Sequence, residues 1–187
     1  MKSLENETGE ERVELADYAK TTDQEWVYRS DYRDHPTKAV AVLVYGESSE
    51  DFWIQQRAPG KCKSGYWEIV AGSQSIDHED SEQAAEEEVL EELFGYGSSP
   101  DYLELDYLGQ VHKETENPQV IDVYEFESGR TDFPGSEEVE RGEFVEIEDL
   151  EDIKDLRDFT DCTEYVLRSL DSLENIDPRL KKISDWF

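Results

Sequence analysis

Little in this chain carries positive charge. Only 18 of its 187 residues are Lys or Arg, against 49 Asp and Glu, for a formal net charge of −31. Nowhere do the basic residues form a stripe that could neutralise a run of phosphates, so direct binding to a nucleic-acid backbone is not expected. Cysteine is equally scarce. Cys62 and Cys162 lie far apart and form no CxxC pair, which argues against a disulfide framework and for free thiols in a reducing compartment. His35, His78 and His112 lie on separate segments with no metal-ligand spacing. No apolar run approaches the roughly 18 residues that span a bilayer, so no membrane association is expected. The opening Met1-Lys2-Ser3-Leu4-Glu5 is polar and acidic. It reads as neither a signal peptide nor an anchor, which makes the cytoplasm the expected compartment.

What is present is acid, spread along the whole chain. Self-repulsion at this density destabilises a compact state in dilute buffer. At molar salt the Debye length falls to about 3 Å and most of the repulsion is screened. A halophile cytosol is the first explanation, and an acidic surface for a basic partner is the alternative. A localised acidic block would favour the partner, and none is seen.

The length suggests one domain over residues 1–187. Residues 1–24 read as a polar, loosely attached arm with a weakly amphipathic stretch at Val13, Leu15 and Tyr18, and Trp26-Val27-Tyr28 as a short strand. Lys38 to Tyr45 is a near-continuous apolar run, the pattern of a strand buried on both faces. Gly46 to Asp51 is a turn cluster, and Phe52 to Arg57 returns as the second strand of a hairpin. Tyr66 to Ala71 is strand-like, with polar loops before it (58–65) and after it (72–80). Ser81 reads as the N-cap of a helix that carries Glu82 in its first turn and runs to about Phe94, stopping near Gly95 and Gly97. Strands are expected at about 102–112, 119–127 and 144–147, with a Gly, Pro and Glu-rich loop at 130–142. Residues 151–187 form a helical region with a helix from about 159 to 173. The order is that of a mixed α/β domain.

The helix from Ser81 to Phe94 carries two patterns. Ala85, Val89 and Leu93 recur at spacing four, flanked by Ala84 and Leu90, as a stripe for packing on a core. Glu88, Glu91 and Glu92 recur at i, i+3 and i+4 and converge on another face. Carboxylates so placed repel one another and suit a cation, although in so acidic a chain a solvated face is the bland alternative.

The window from Gly72 to Gly95 resembles the Nudix box, G-x5-E-x7-R-E-U-x-E-E-x-G-U. Glu79 falls on the first glutamate, Glu88 on the glutamate after the arginine, Val89 on the aliphatic position, and Glu91-Glu92 on the paired glutamates. Gln55-Gln56-Arg57 and Gly65-Tyr66-Trp67-Glu68 also look like the family, and residues 26–150 match its order and spacing. Three positions depart: Ser73 stands at the first glycine, Glu87 at the arginine, and Phe94 at the late glycine. The arginine normally orients the catalytic glutamates, so Glu87 adds negative charge beside them.

The resemblance implies a Nudix fold, a mixed β-sheet sandwiched between helices. It implies a Mg²⁺-dependent (or Mn²⁺-dependent) hydrolase cleaving a diphosphate linkage in a nucleoside diphosphate-type metabolite. Hard Mg²⁺ takes oxygen ligands from a few carboxylates and the substrate phosphates. The expected metal ligands are Glu88, Glu91, Glu92 and the Gly72 carbonyl, with Glu79 bracing the loop behind them. Glu91, Glu92 and a late-loop Glu138 are the expected catalytic carboxylates, and Glu137, Glu140 and Glu114 compete with Glu138. Arg57 and Lys63 are candidates for substrate phosphates, and Tyr28, Phe133 or Tyr124 for stacking a base. Trp67 is expected in the core. A Nudix-fold nucleotide- or partner-binding protein with weakened catalysis is the alternative. The sequence looks nearest to the branch of isopentenyl diphosphate isomerases. Ala71 and Ser73 stand where that branch places its cysteine and histidine, however, and Cys62 comes too early, so isomerase activity is disfavoured. Oligomeric state is open, a homodimer included.

Overall fold

The near-continuous apolar run forms β3 (Thr37–Tyr45), the middle strand of the protein. The structure is a computed structural model and describes residues 12–21, 23–31, 34–46, 50–95, 103–114 and 117–187. Expectations for residues 1–11, the middle of the 46–51 turn, Gly97 and Tyr102 lie outside these. Along β3 alternate side chains enter two different apolar layers. Ala39, Ala41, Leu43 and Tyr45 face one, and Val40, Val42 and Val44 face the other. This is what a two-sided strand requires, since successive side chains point to opposite faces.

Before β3 come β1 (Arg12–Glu14) and β2 (Trp26–Tyr28), paired antiparallel. After it follow β4 (Asp51–Arg57), β5 (Trp67–Glu68), β6 (Val70–Ser73), α1 (Ser81–Phe94), β7 (Asp106–Lys113), β8 (Gln119–Glu127) and β9 (Val139–Glu146). The chain closes with α2 (Leu150–Leu156), α3 (Asp161–Arg168) and α4 (Pro178–Lys181), joined by short 3-10 turns. Among the described residues, seven strands make one mixed sheet. Parallel β8 lies along the whole of one edge of β3. The other edge is shared: β6 pairs with its first half, and β4 meets it only at Tyr45 and Phe52. The sheet therefore forks. β4, flanked by β5 and β9, diverges from β3.

Helix α1 lays Ala84, Ala85, Val89, Leu93 and Phe94 on one face of the sheet. The opposite face is covered by Leu150, Phe159, Val166, Leu167, Leu170, Leu180 and Ile183 from the C-terminal segments. The expected α/β architecture, a mixed sheet between helices, is thus what the chain adopts.

Several local expectations change. The arm is not loose from Arg12 onward: Val13 and Leu15 are buried and bridge to Ser75 and Thr37. The N-cap is Asp80, whose Oδ1 accepts the Gln83 N–H at 2.9 Å. Ser81 is the first helical residue and bonds the Tyr124 hydroxyl at 2.7 Å. Ile69 divides the 66–71 strand in two. β9 starts at Val139, inside the expected loop. The 159–173 helix stops at Arg168, where Ser169 leaves helical geometry.

Candidate functional site

Glu92 is the buried carboxylate of the protein's acidic helix. Only 2% of it is exposed, so it sits inside the layer that α1 packs on the sheet and not on a separate solvated face. Gln55 donates from Nε2 to its carboxylate at 2.7 Å, and Trp53 Nε1 donates to Gln55 Oε1 at 3.2 Å. Alternation along β4 explains this meeting. Phe52 and Ile54 enter the far layer, whereas Trp53 and Gln55 turn toward α1. Burial pushes the Glu92 carboxyl well above the usual carboxylate range. The negative charges of Glu88 and Glu68 push in the same direction, and Gln55 and Arg57 oppose them.

Glu88 rests on bare backbone. A Cβ placed on Gly72 would lie 1.7 Å from Glu88 Oε1 and 2.0 Å from its Cδ. Only glycine admits the carboxylate here, at the point where β6 pairs with β3 through Val40. Glu91 is half-buried on the next turn.

Beside these lies an ion pair between Arg57 and Glu68. Arg57 NH1 donates to both oxygens of Glu68, at 2.8 and 2.7 Å. Glu68 is nearly buried, and burial outweighs the pull of Arg57, so its carboxyl is pushed up to about 7. Arg57 Nε is held by the Cys62 carbonyl at 2.7 Å. The charges of Glu92 and Glu138 both reach this guanidinium.

Glu138 is tied in from the late loop. Its backbone carbonyl accepts the Ala58 N–H at 2.8 Å, and its carboxylate pairs with Lys61. The competing Glu114, Glu137 and Glu140 are exposed. The structure thus gathers Glu88, Glu92, Gly72, Arg57 and Glu138, together with Gln55 and Glu68. The last two were absent from the candidates. Their signal is a polar side chain at an inward strand position.

Other candidates fall outside this group. Lys63 pairs with Asp161 at 2.5 Å and lies over the Tyr66 ring. Glu79 is exposed, with its N–H on Gln83 Oε1. Phe133 packs edge-on against Trp53 and Phe94, so it is core and not a stacking platform. Tyr124 is buried with its hydroxyl on Ser81, and Tyr28 packs against Trp26. Trp67 is buried between the guanidinium groups of Arg141 and Arg157. Both cysteines are free.

Glu87, at the box's arginine position, turns to His78. The Ser75 N–H donates to His78 Nδ1 at 3.0 Å, which leaves the proton on Nε2, 2.8 Å from Glu87. The carboxylate is thereby engaged at the surface.

Among the described residues, no three His, Cys, Asp or Glu side chains converge as a ready-made metal cage. Mg²⁺ does not need one, because it is held by one or two carboxylates, water and substrate phosphates. The donors fit that demand: hard oxygens from Glu88 and Glu92, a half-buried strand backbone without a side chain at Gly72, and a buried carboxyl whose charge a dication would neutralise. Among the described residues, no helix is long and apolar enough to cross a membrane.

Comparison with known proteins agrees with this fold. The chain is similar in structure to DR0079 of Deinococcus radiodurans, with a TM-score of 0.67 at 21% identity over 84% of this chain and 98% of that one. It is also similar to the dihydroneopterin triphosphate pyrophosphohydrolase of E. coli (TM-score 0.53, 14% identity, 72% and 92% covered). A third likeness is to the NUDIX domain of Shewanella oneidensis NrtR, solved with ADP ribose (TM-score 0.51, 13% identity, 69% and 80% covered). Among curated proteins no sequence match was found. The NUDIX domain family matches residues 35–167, and on that extent of its length the chain belongs to the Nudix family.

Proposed function

We propose that the protein is a Mg²⁺-dependent (or Mn²⁺-dependent) pyrophosphohydrolase acting on the diphosphate linkage of a nucleoside diphosphate-type metabolite. The observation that carries this reading is the pair of helix carboxylates turned to the sheet, Glu88 at β6 and Glu92 at β4. Glu88 lies on the Gly72 backbone, and buried Glu92 is held by Gln55. Keeping two carboxylates in this low-dielectric place costs free energy unless a cation compensates them.

Glu88, Glu91, Glu92 and the Gly72 carbonyl would hold the cation, which when bound neutralises phosphoryl charge and supplies an acidified water. Gln55 fixes the Glu92 carboxylate in orientation, as outer groups around a metal site do. Glu138 is the base assigned to take the water proton, tethered in place by Lys61. Glu91 and Glu92 remain the catalytic carboxylates beside it. Arg57 is already charged and oriented by Glu68, ready to meet a phosphate oxygen with its remaining N–H groups. Lys63 would have to leave its pair with Asp161 to meet an outer phosphate, and Glu79 is assigned to bracing the loop before α1. That one structurally similar domain was solved with ADP ribose supports a diphosphate-containing substrate.

A second reading has one observation behind it. The arginine position is filled by Glu87, bound to His78, which favours a Nudix-fold binding protein with weakened catalysis. Mg²⁺-dependent phosphate release from nucleoside diphosphate compounds, compared between the parent and Glu92→Gln, separates the two.

The dispersed acidic surface is assigned to a high-salt cytoplasm rather than to a basic partner.

A further inference from the structure

A second acidic concavity lies at the other end of β3, on the face away from α1. It encloses about 250 Å³ and is lined by Tyr45, Asp106, Glu125, Glu127, Asp177 and Arg179, with Leu180 as an apolar wall. Its origin is legible in β8. Ile121 and Val123 belong to the apolar layer under the C-terminal helices, and the same face continues as Glu125 and Glu127. Asp106 stands directly across from Glu125, and Tyr45 across from Glu127. Like charges directly opposite on paired strands are unfavourable. Burial pushes the Glu125 carboxyl up, and Asp106, Asp177 and Glu127 push it further. The guanidinium of Arg179 is already forked onto Asp177, through Nε at 3.1 Å and NH2 at 2.6 Å.

A separate observation points to a ligand. Tyr45 is only 7% exposed, and its buried hydroxyl has no hydrogen-bond partner. Buried hydroxyls in folded proteins are satisfied as a rule. One that lines an anionic cavity calls for a group with N–H donors.

We propose that this cavity binds a small organic dication of the alkyl diamine class, its ammonium groups on Glu125, Glu127 and Asp106 and on the Tyr45 hydroxyl. A bare metal ion fits less well, because no three of the carboxylates converge on one point and the volume exceeds that of a single ion. The carboxylates stand on neighbouring strands, Asp106 on β7 and Glu125 and Glu127 two residues apart on β8, which suits charges held apart by a spacer. The Tyr45 ring and Leu180 offer that spacer an apolar surface, and an ammonium group is attracted to an aromatic face.

The test is calorimetric titration of the whole protein with putrescine at fixed ionic strength, with butylamine and KCl as controls. The expected result is saturable binding of putrescine, tighter than that of butylamine. Glu125→Gln should weaken it by roughly tenfold or more, the worth of a hydrogen bond to a charged group. Tyr45→Phe, which keeps the ring and the packing, should weaken it several-fold. Glu92→Gln should bind as the parent does, since the cavity is separate from the site on α1. Heats no larger than those of KCl, a parent-like affinity in Tyr45→Phe, or loss of binding in Glu92→Gln would each overturn the proposal. If Glu125→Gln does not fold, Tyr45→Phe decides.

Discussion

Two residues without side-chain chemistry of their own control the acidic site. Gly72 is needed because any Cβ there would occupy the place of the Glu88 carboxylate. Gly72→Ala should therefore expel Glu88 and weaken Mg²⁺ binding by roughly tenfold to a hundredfold, the usual cost of disturbing groups around a metal site. Isothermal titration with Mg²⁺ measures this, and a parent-like affinity would refute the placement of Glu88. Gly142 acts one step further back: a Cβ on it would lie 2.0 Å from the Trp53 ring, and Trp53 is the residue that donates to Gln55. Glu68 carries a pH signature. Its carboxyl is raised from about 4.5 to about 7, chiefly by burial. The folded state thus binds more protons than the unfolded state between these values. Stability from this group is greatest below about 4.5 and declines as pH rises to about 7. Melting temperature without divalent cation should follow that decline, and Glu68→Gln should flatten it. An unchanged profile in the variant would show that Glu68 stays ionised on Arg57 throughout.

The elements differ in how openly the sequence announced them. β3 was legible because a strand buried on both faces reads as an unbroken apolar run. α1 was legible through its period-four stripe and through Gly95, which ends it at φ 56° in the left-handed region. Its first residue was not, because Asp80 and Ser81 are both good caps and only the bond to the Gln83 N–H separates them. Asp80→Ala should cost about 1 kcal/mol and Asp80→Asn much less. Equal losses in chemical denaturation would move the cap elsewhere. β9 was hidden by Glu140, Arg141 and Gly142, which read as loop. They form a strand because pairing with β4 satisfies their backbone, and Gly142 leaves room for Trp53. β1 was hidden because three residues are too few to show a period. Of the site, the helix glutamates were legible from spacing and family likeness. Gln55 and Glu68 were not, because their inward direction depends on the fork between β3 and β4, a tertiary feature.

At the scale of the whole molecule two facts pull against each other. A net charge of −31 opposes compaction in dilute buffer, yet the fold buries two apolar layers and tucks Glu92 and Glu68 inside. Salt should decide the balance. Far-UV circular dichroism should show loss of structure below roughly molar KCl, where screening fails. Full structure in dilute buffer would instead leave the acidic surface to be explained by a basic partner. The central claim is that the carboxylates of α1, where the helix meets the forked sheet, hold a cation that serves diphosphate hydrolysis. Its most direct test is phosphate release from a panel of nucleoside diphosphate compounds in high KCl, with and without Mg²⁺, for the parent and for Glu92→Gln. Release that requires Mg²⁺ and is lost in Glu92→Gln is the predicted result. Absence of release across the panel from demonstrably folded protein, or release undiminished in Glu92→Gln, would contradict it.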